Sequence, residues 1–195
     1  MKEFATSLRF RWQRLRLLAG RALLSLRRRG LRPTLARVLE VLGRGTPSAR
    51  PAGLCLPGAV DARTLRLLPC ATPRASIVVP VHNQLDHTLG CLASLARSGD
   101  ATPFEVIVVD DASRDDSATV LPAIPGLRYL RCDANLGFIG ACRLGATQAR
   151  GAFIVYLNND TAVQPGWLDA LLDTFERHPD TGIAGSRLVY PDGRL

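Results

Sequence analysis

The chain has 195 residues, 47% of them hydrophobic, which is enough for one ordinary domain with an extension. Residues 1–50 hold 13 Lys and Arg against 2 Glu, a balance of +11, whereas residues 51–195 hold 12 Arg against 15 Asp and Glu, a balance of −3. Because the basic charge lies on the leader and not on the domain, the composition argues against nucleic-acid binding, and we predict no nucleic-acid partner.

Residues 1–42 form a basic leader with the periodicity of an amphipathic helix. Its apolar side chains recur every three or four residues on one face, and its arginines lie off that face. Such a helix suits an anionic membrane surface, so we predict peripheral membrane contact through residues 4–29. Docking of this helix on its own domain or on a partner, and a mitochondrial transit peptide, are the alternatives.

The cysteine pattern and the lack of a membrane-spanning run predict a cytoplasmic protein. The inner face of the plasma membrane is then the surface that the leader would contact. No apolar run approaches the roughly 18 residues that cross a bilayer. The five cysteines show no C-x-x-C spacing and are odd in number, which indicates reduced thiols and no disulfide framework.

Residues 43–74 are rich in Pro, Gly and Ala and predict a linker with one short ordered piece near residues 60–68. From residue 75 onward, short apolar runs alternate with helical spacing, which predicts an α/β fold with a parallel sheet and helices on both faces. The predicted strands are residues 76–81, 104–111, 127–130, 153–158 and 182–186, and the predicted helices are residues 85–96, 115–121, 137–149 and 165–177.

Ligands of an open parallel sheet bind beyond the carboxyl ends of its strands, and four predicted strands end in polar residues. These residues are His82 and Asn83, Asp110 and Asp111, the segment 133–137, and Asn158-Asn159-Asp160. Together they suit a nucleotide with a divalent metal. Taken singly, Asp160 is also explained by an Asx turn before a helix, and His82 by an ordinary loop histidine.

The chain lacks both common glycine-rich phosphate loops, G-x-x-x-x-G-K-[ST] and a G-x-G-x-x-G after the first strand. Gly137 and Gly140 instead open the helix after the third strand. The helix N-terminus there could face an anion, or the glycines could serve close packing.

Four blocks of the sequence resemble family 2 glycosyltransferases, inverting enzymes with the GT-A (Rossmann-like) fold. The blocks are SIVVPVHNQLDHTLGCLASL, FEVIVVDDASRDDS, NLGFIGACRLGATQARG and IVYLNNDTAVQPGWLDALL. The resemblance covers about residues 75–195 and has the character of rhamnosyltransferase-like enzymes of bacterial surface polysaccharide synthesis. It implies sugar transfer from a nucleotide-diphosphate sugar to a saccharide or lipid-linked acceptor, with Mg²⁺ or Mn²⁺ as cofactor.

The resemblance also implies which residues meet the nucleobase. Pro80, His82 and Asn83 would line the base pocket, with the His82 ring packed on the base. Asp111 would hydrogen-bond the base, and Asp110 would support the turn that carries it.

A second group would meet the ribose, the phosphates and the metal. Asn135 and Gly137 would shape the loop near the ribose and phosphates. Asn158-Asn159-Asp160 stands at the D-x-D position of the family, with Asp160 as the metal ligand and Asn158 nearer the ribose. Many members carry Asp where this chain has Asn158, so the resemblance implies a metal site with one charge fewer.

The catalytic base of the family lies well beyond the D-x-D position, in the acceptor-binding part. Because only 35 residues follow Asp160, we expect the base to lie beyond Leu195. The expectation is therefore a donor-binding part, truncated at its C-terminus and inactive in isolation. The alternative function is a catalytically inert nucleotide-binding or membrane-associated module.

Overall fold

A computed structural model describes residue 54 and residues 56–190. The predicted leader (residues 1–42), with its membrane-contact segment, and the first part of the predicted linker lie outside the described residues, as do residues 191–195. In the described part of the chain, no helix combines the length and the apolar character needed to cross a membrane.

The described residues alternate strands and helices from residue 75 to residue 177. The strands are β1 (Ala75–Val81), β2 (Phe104–Asp110), β3 (Leu127–Arg131) and β4 (Phe153–Tyr156). The helices are α1 (Leu85–Ala96), α2 (Ser117–Val120, followed by a 3₁₀ turn at Leu121–Ala123), α3 (Gly137–Thr147) and α4 (Trp167–Arg177). The strands form one sheet in the order β3-β2-β1-β4.

The two central strands are parallel and in register, which aligns their carboxyl ends. Ala75 lies opposite Phe104 and Val81 opposite Asp110, so the residues that follow β1 and β2 leave the sheet side by side. The outer strands β3 and β4 are also parallel to their neighbours. All four strands therefore end at one edge, as a parallel sheet requires.

Both faces of the sheet are covered by helices, which confirms the predicted fold class. On one face, Ile77 and Val79 of β1 belong to a core that includes Leu92 of α1 and Leu168 of α4. On the other face, Val78 packs in a second core with α3. Because side chains alternate along a strand, a strand covered on both sides is buried throughout, and β1 is apolar apart from Ser76.

The segment 56–74, assigned above to the linker, is attached to the domain. Leu65 and Leu67 are buried in the same core as α1 and α4. The backbone N–H of Leu67 donates to Pro125 O at 2.9 Å. Both leucines fall in the short ordered piece predicted near residues 60–68, whereas their burial in the core depends on residues far along the chain.

One predicted strand is absent from the described residues, and the bounds of several other elements differ from the prediction by one or a few residues. Residues 182–186 form no strand in the described chain, and Ile183 is 92% exposed, so this apolar run has neither a pairing strand nor a core to cover it. Strand β4 ends at Tyr156, because the chain turns where Thr161 N–H donates to Asn158 O at 3.3 Å. Helix α4 begins at Trp167, since Gly166 before it has a left-handed φ of 73°.

Candidate nucleotide-sugar site

The tip of β1 presents His82 beyond the buried strand. His82 Nδ1 lies 2.7 Å from the backbone oxygen of Asp111, and because a carbonyl can only accept, this nitrogen carries the proton. In the neutral ring Nε2 then offers a lone pair. Asn135 Nδ2 lies 3.3 Å from the same Nδ1, a contact between two donors and not a second hydrogen bond.

Asn83 joins the loops after β1 and β2. Its backbone N–H donates to Ser113 Oγ at 2.7 Å, and its Oδ1 accepts from Arg114 N–H at 2.8 Å. Asn83 and Gln84 have left-handed φ angles of 60° and 62°, a conformation that these contacts hold in place. Pro80, by contrast, is a buried residue inside β1, opposite Val109, and so lies behind the tip and not on it.

Asp111 links three loops at the carboxyl edge. Its carboxylate accepts from the backbone N–H of Leu136 at 2.6 Å and of Gly137 at 2.9 Å, which caps the N-terminus of α3. Its own N–H donates to Val81 O at 2.8 Å. Asp111 is only 4% exposed, and its main structural role is to connect these loops through hydrogen bonds.

Asp110 is the fully buried neighbour that holds the turn beneath Asp111. Its Oδ1 accepts from Ser113 N–H at 2.8 Å, and its Oδ2 accepts from Arg131 Nη1 at 2.5 Å and from the hydroxyl of Tyr129. Burial raises the pKa of Asp110, but these hydrogen bonds and the charge of Arg131 outweigh it and hold the pKa below its usual value. Asp110 is therefore an ionised structural group whose oxygens face the protein.

The loop after β3 ends at Asn135 and Gly137. Asn135 Oδ1 accepts from Gly137 N–H at 3.0 Å, so this N–H is shared with Asp111. Gly137 has a φ of 72°, and no heavy atom lies within 4 Å of the position that a Cβ would take. The glycine is thus required by backbone conformation and leaves open space at the start of α3.

The tip of β4 carries the D-x-D-like triplet on an irregular loop. Asn158 and Asp160 are exposed, whereas Asn159 between them is half-buried and donates through Nδ2 to Thr88 Oγ1 at 3.0 Å. Asn159, predicted to bind nucleotide sugar, therefore turns its amide nitrogen into the protein. The two residues on either side of it are the ones presented at the sheet edge.

The donor set at this tip fits a metal ion that arrives with a diphosphate. Among the described residues, no group of three or more His, Cys, Asp or Glu could enclose an ion. Asp160 supplies one exposed carboxylate, and Asn158 supplies an amide oxygen beside it. Mg²⁺ is commonly held by one or two carboxylates with phosphate and water oxygens as the other ligands, which this arrangement allows.

The structure thus brings the predicted residues into two neighbouring groups. His82, Asp111, Asn135 and Gly137 are joined by hydrogen bonds at the tips of β1, β2 and β3. Asn158 and Asp160 lie at the tip of β4, which is paired with β1.

Two residues that link the tips, Ser113 and Asp115, were not among the predicted site residues. Asp115 does accept from Ser117 N–H at 3.1 Å, but its other oxygen accepts from Leu85 N–H at 3.1 Å, at the start of α1. Their cross-loop partners lie 30 residues away, which local pattern does not reveal.

Comparison with known proteins decides the family. The glycosyl transferase family 2 pattern matches residues 76–195, more than half of the chain. The chain belongs to glycosyl transferase family 2. This confirms the resemblance seen in the four sequence blocks.

Two relatives of this family 2 chain are named for a role in polysaccharide synthesis. It is 32% identical over 128 residues to the O-antigen biosynthesis protein RfbC of Myxococcus xanthus, covering 64% of this chain and 10% of that protein. It is 35% identical over 104 residues to the succinoglycan biosynthesis protein ExoO of Rhizobium meliloti, covering 52% of this chain and 29% of that protein.

Among solved structures, residues 1–349 of S. aureus TarS match with a TM-score of 0.48 and 20% identity, covering 62% of this chain and 43% of that one. The family 2 chain thus spans less than half the length of each of these three chains.

Proposed function

We propose that this chain carries the donor-binding part of a glycosyltransferase that uses a nucleotide-diphosphate sugar. Family membership supports the reaction class. The observation that carries the proposal is the convergence of His82, Asp111 and Gly137 at one sheet edge, beside the exposed carboxylate of Asp160. The fold thereby places hydrogen-bonding groups for a base and an oxygen donor for a metal at the ends of neighbouring strands.

The two groups divide the donor between them in this proposal. The base lies at the His82 side, where the ring is held by Asp111 O and Nε2 is left to accept a hydrogen bond. The diphosphate lies toward Asn158 and Asp160. A divalent Mg²⁺ or Mn²⁺ held there would neutralise charge on the departing diphosphate.

The acceptor is proposed to be a saccharide or a lipid-linked saccharide of a surface polysaccharide. The names of the O-antigen and succinoglycan biosynthesis relatives support this class. Cytoplasmic location and peripheral contact of residues 4–29 with an anionic membrane stay predictions. Sedimentation of the chain with vesicles rich in anionic lipid, but not with neutral vesicles, is the result expected for that contact.

The donor site is tested by nucleotide binding to the 195-residue chain. UDP, dTDP and GDP are titrated with and without Mn²⁺, for the unmodified chain, Asp160→Ala and Asp180→Ala. Asp180 is the matched control, because it is also an exposed aspartate in a turn. We expect Mn²⁺ to strengthen binding of one nucleotide, and Asp160→Ala alone to remove that effect.

The outcomes separate the candidate functions. Equal nucleotide affinity with and without Mn²⁺ would favour an inert nucleotide-binding module over a glycosyltransferase. No binding at millimolar nucleotide would contradict the donor site altogether.

A further inference from the structure

Helix α1 directs three small polar side chains at the loop that carries the metal-site triplet. Thr88, Cys91 and Ser94 are spaced one helical turn apart and are at most 4% exposed. Each forms a hydrogen bond to the segment 158–163. We call these three residues the polar ladder.

Thr88, the first residue of the polar ladder, connects two loops of the site. Its Oγ1 donates to Gln84 O at 3.3 Å and accepts from Asn159 Nδ2 at 3.0 Å. Gln84 belongs to the left-handed turn after β1, and Asn159 to the loop after β4. One hydroxyl group therefore fixes the β4 loop relative to the loop that carries His82.

Cys91, the second, holds the backbone of the triplet. Its Sγ donates to Asn158 O at 3.6 Å, an oxygen that also accepts from Thr161 Oγ1 at 2.7 Å. The carbonyl oxygen of Asn158 is thus held from two sides, by the Cys91 thiol and by the Thr161 hydroxyl.

Ser94, the third, ends the loop. Its Oγ accepts from Val163 N–H at 3.0 Å and donates to Cys91 O at 2.7 Å. Val163 is buried, so without Ser94 its N–H would lack an acceptor away from water. Both hydrogen-bonding functions of this hydroxyl are thus used.

Apolar packing of α1 does not by itself account for these groups, since only Cys91 of the three belongs to the hydrophobic core. Leu89, Leu92 and Leu95 already supply the apolar contacts of this helix with the core. Burying three further polar groups costs free energy unless each is hydrogen-bonded. Here the loop from 158 to 163, which has no regular secondary structure, provides a partner for each of them.

We infer that the polar ladder positions the Asn158–Asp160 loop for metal and diphosphate binding. The inference rests on the proposed function and adds Thr88, Cys91 and Ser94 to it as positioning residues. By drawing Asn159 inward, Thr88 leaves Asn158 and Asp160 exposed on either side. A loop ordered before binding loses less conformational freedom when the ligand arrives.

The test is Thr88→Val, which keeps the shape of the side chain and removes the hydroxyl. Thr88→Ser restores the hydroxyl, and Thr174→Val is the matched control. Thr174 Oγ1 donates to Ala170 O at 3.3 Å, which reproduces the i−4 bond of Thr88 without the bond to Asn159. Mn²⁺ affinity is measured on the 195-residue chain, by electron paramagnetic resonance of free Mn²⁺, in the presence of the nucleotide that binds.

Loss of one such hydrogen bond should weaken Mn²⁺ binding about three- to tenfold in Thr88→Val. We expect Thr88→Ser and Thr174→Val to bind like the unmodified chain, and nucleotide affinity without metal to be unchanged in all three. A general structural defect would lower metal-free nucleotide binding as well, which separates positioning from misfolding. If Thr88→Val does not fold, Cys91→Ala and Ser94→Ala decide by the same measurements.

Equal Mn²⁺ affinity in the folded ladder variants and the unmodified chain would overturn this inference and leave the proposed function standing. Absence of Mn²⁺-dependent binding in the unmodified chain would overturn the proposed function, and the inference with it.

Discussion

The carboxylate of Asp111 accepts a hydrogen bond of 2.9 Å from the backbone N–H of Gly137, across the gap between β2 and α3. The same carboxylate accepts from Leu136 N–H, and the backbone oxygen of Asp111 faces His82. One residue therefore orders the tips of three strands. Each carboxylate oxygen of Asp111 already accepts one backbone N–H and can accept one more hydrogen bond. A hydrogen bond from the nucleobase to Asp111, as the family implies, has to use one of these remaining acceptor positions.

Asp111→Asn should separate these tips. An amide has one accepting oxygen, so one of the two backbone N–H groups would face an NH₂ group in place of an acceptor. We expect the free energy of unfolding to fall by about 1–3 kcal/mol and nucleotide affinity to fall at least about tenfold. Urea unfolding and nucleotide titration measure the two effects, with exposed Asp133→Asn as control. Unchanged stability would show that the capping bonds contribute little.

Glu105 should make the stability of the domain depend on acid pH. Burial raises its pKa, but hydrogen bonds from Arg150, Ser76 and Arg128 lower it from 4.5 to about 2. A depressed pKa stabilises the folded state fully above pH 4.5, and this contribution is lost as the pH falls toward about 2.

In Glu105→Gln, the fall in unfolding free energy across this window should be smaller by up to roughly 3 kcal/mol. Unfolding in urea from pH 5 downward measures it. Glu176→Gln is the control, since Glu176 pairs with Arg74 at the surface. A Glu105→Gln curve parallel to that of the unmodified chain would contradict the assignment.

Asp100 and Asp169 should act as a coupled pair at the start of α4. Asp100 Oδ1 accepts from the N–H of Leu168 and Asp169, and the Asp169 carboxylate accepts from the N–H of Ala101 and Thr102. A side-chain hydrogen bond from Thr102, followed by the backbone hydrogen bond from Ala101, lowers the pKa of Asp169.

Each Asp→Ala change should cost about 1–2 kcal/mol, as loss of a helix cap does. Both carboxylates connect the loop at residues 100–102 to the start of α4. The loss of unfolding free energy in the double variant should therefore be smaller than the sum of the two single losses, by at least about 0.5 kcal/mol. A double-mutant cycle by urea unfolding tests this, with exposed Asp173→Ala as control. Strict additivity would mean that the two caps are independent.

Gly126→Ala should release the segment that carries Leu65 and Leu67. Gly126 has a φ of 80°, and a Cβ there would lie 2.1 Å from Leu67 O. Losing the burial of one such leucine costs about 2 kcal/mol. We expect at least this loss and faster cleavage by trypsin after Arg66, measured against Gly58→Ala, where a Cβ meets nothing within 4 Å. Equal cleavage rates would contradict the attachment.

Much of the fold was readable because strand and helix periodicity are local properties. The runs at β1 and β2 are mostly apolar, as is typical of strands buried on both faces, and their polar continuations mark the carboxyl edge. The same locality explains the misses. The apolar run at residues 182–186 reads as a strand, but a strand needs a neighbour to pair with, and pairing is not encoded in one segment.

The candidate site divides in the same way. The amino-acid sequence is enough to identify the residues at the strand tips, including Asp111, Asn158 and Asp160, because chain order places them after apolar runs. Which oxygens are already hydrogen-bonded depends on the folded chain: Asp110 is enclosed by Tyr129 and Arg131, and Asn159 is held by Thr88, 71 residues away. Hydrogen bonds between distant loops depend on how the chain returns on itself, and that is settled by packing.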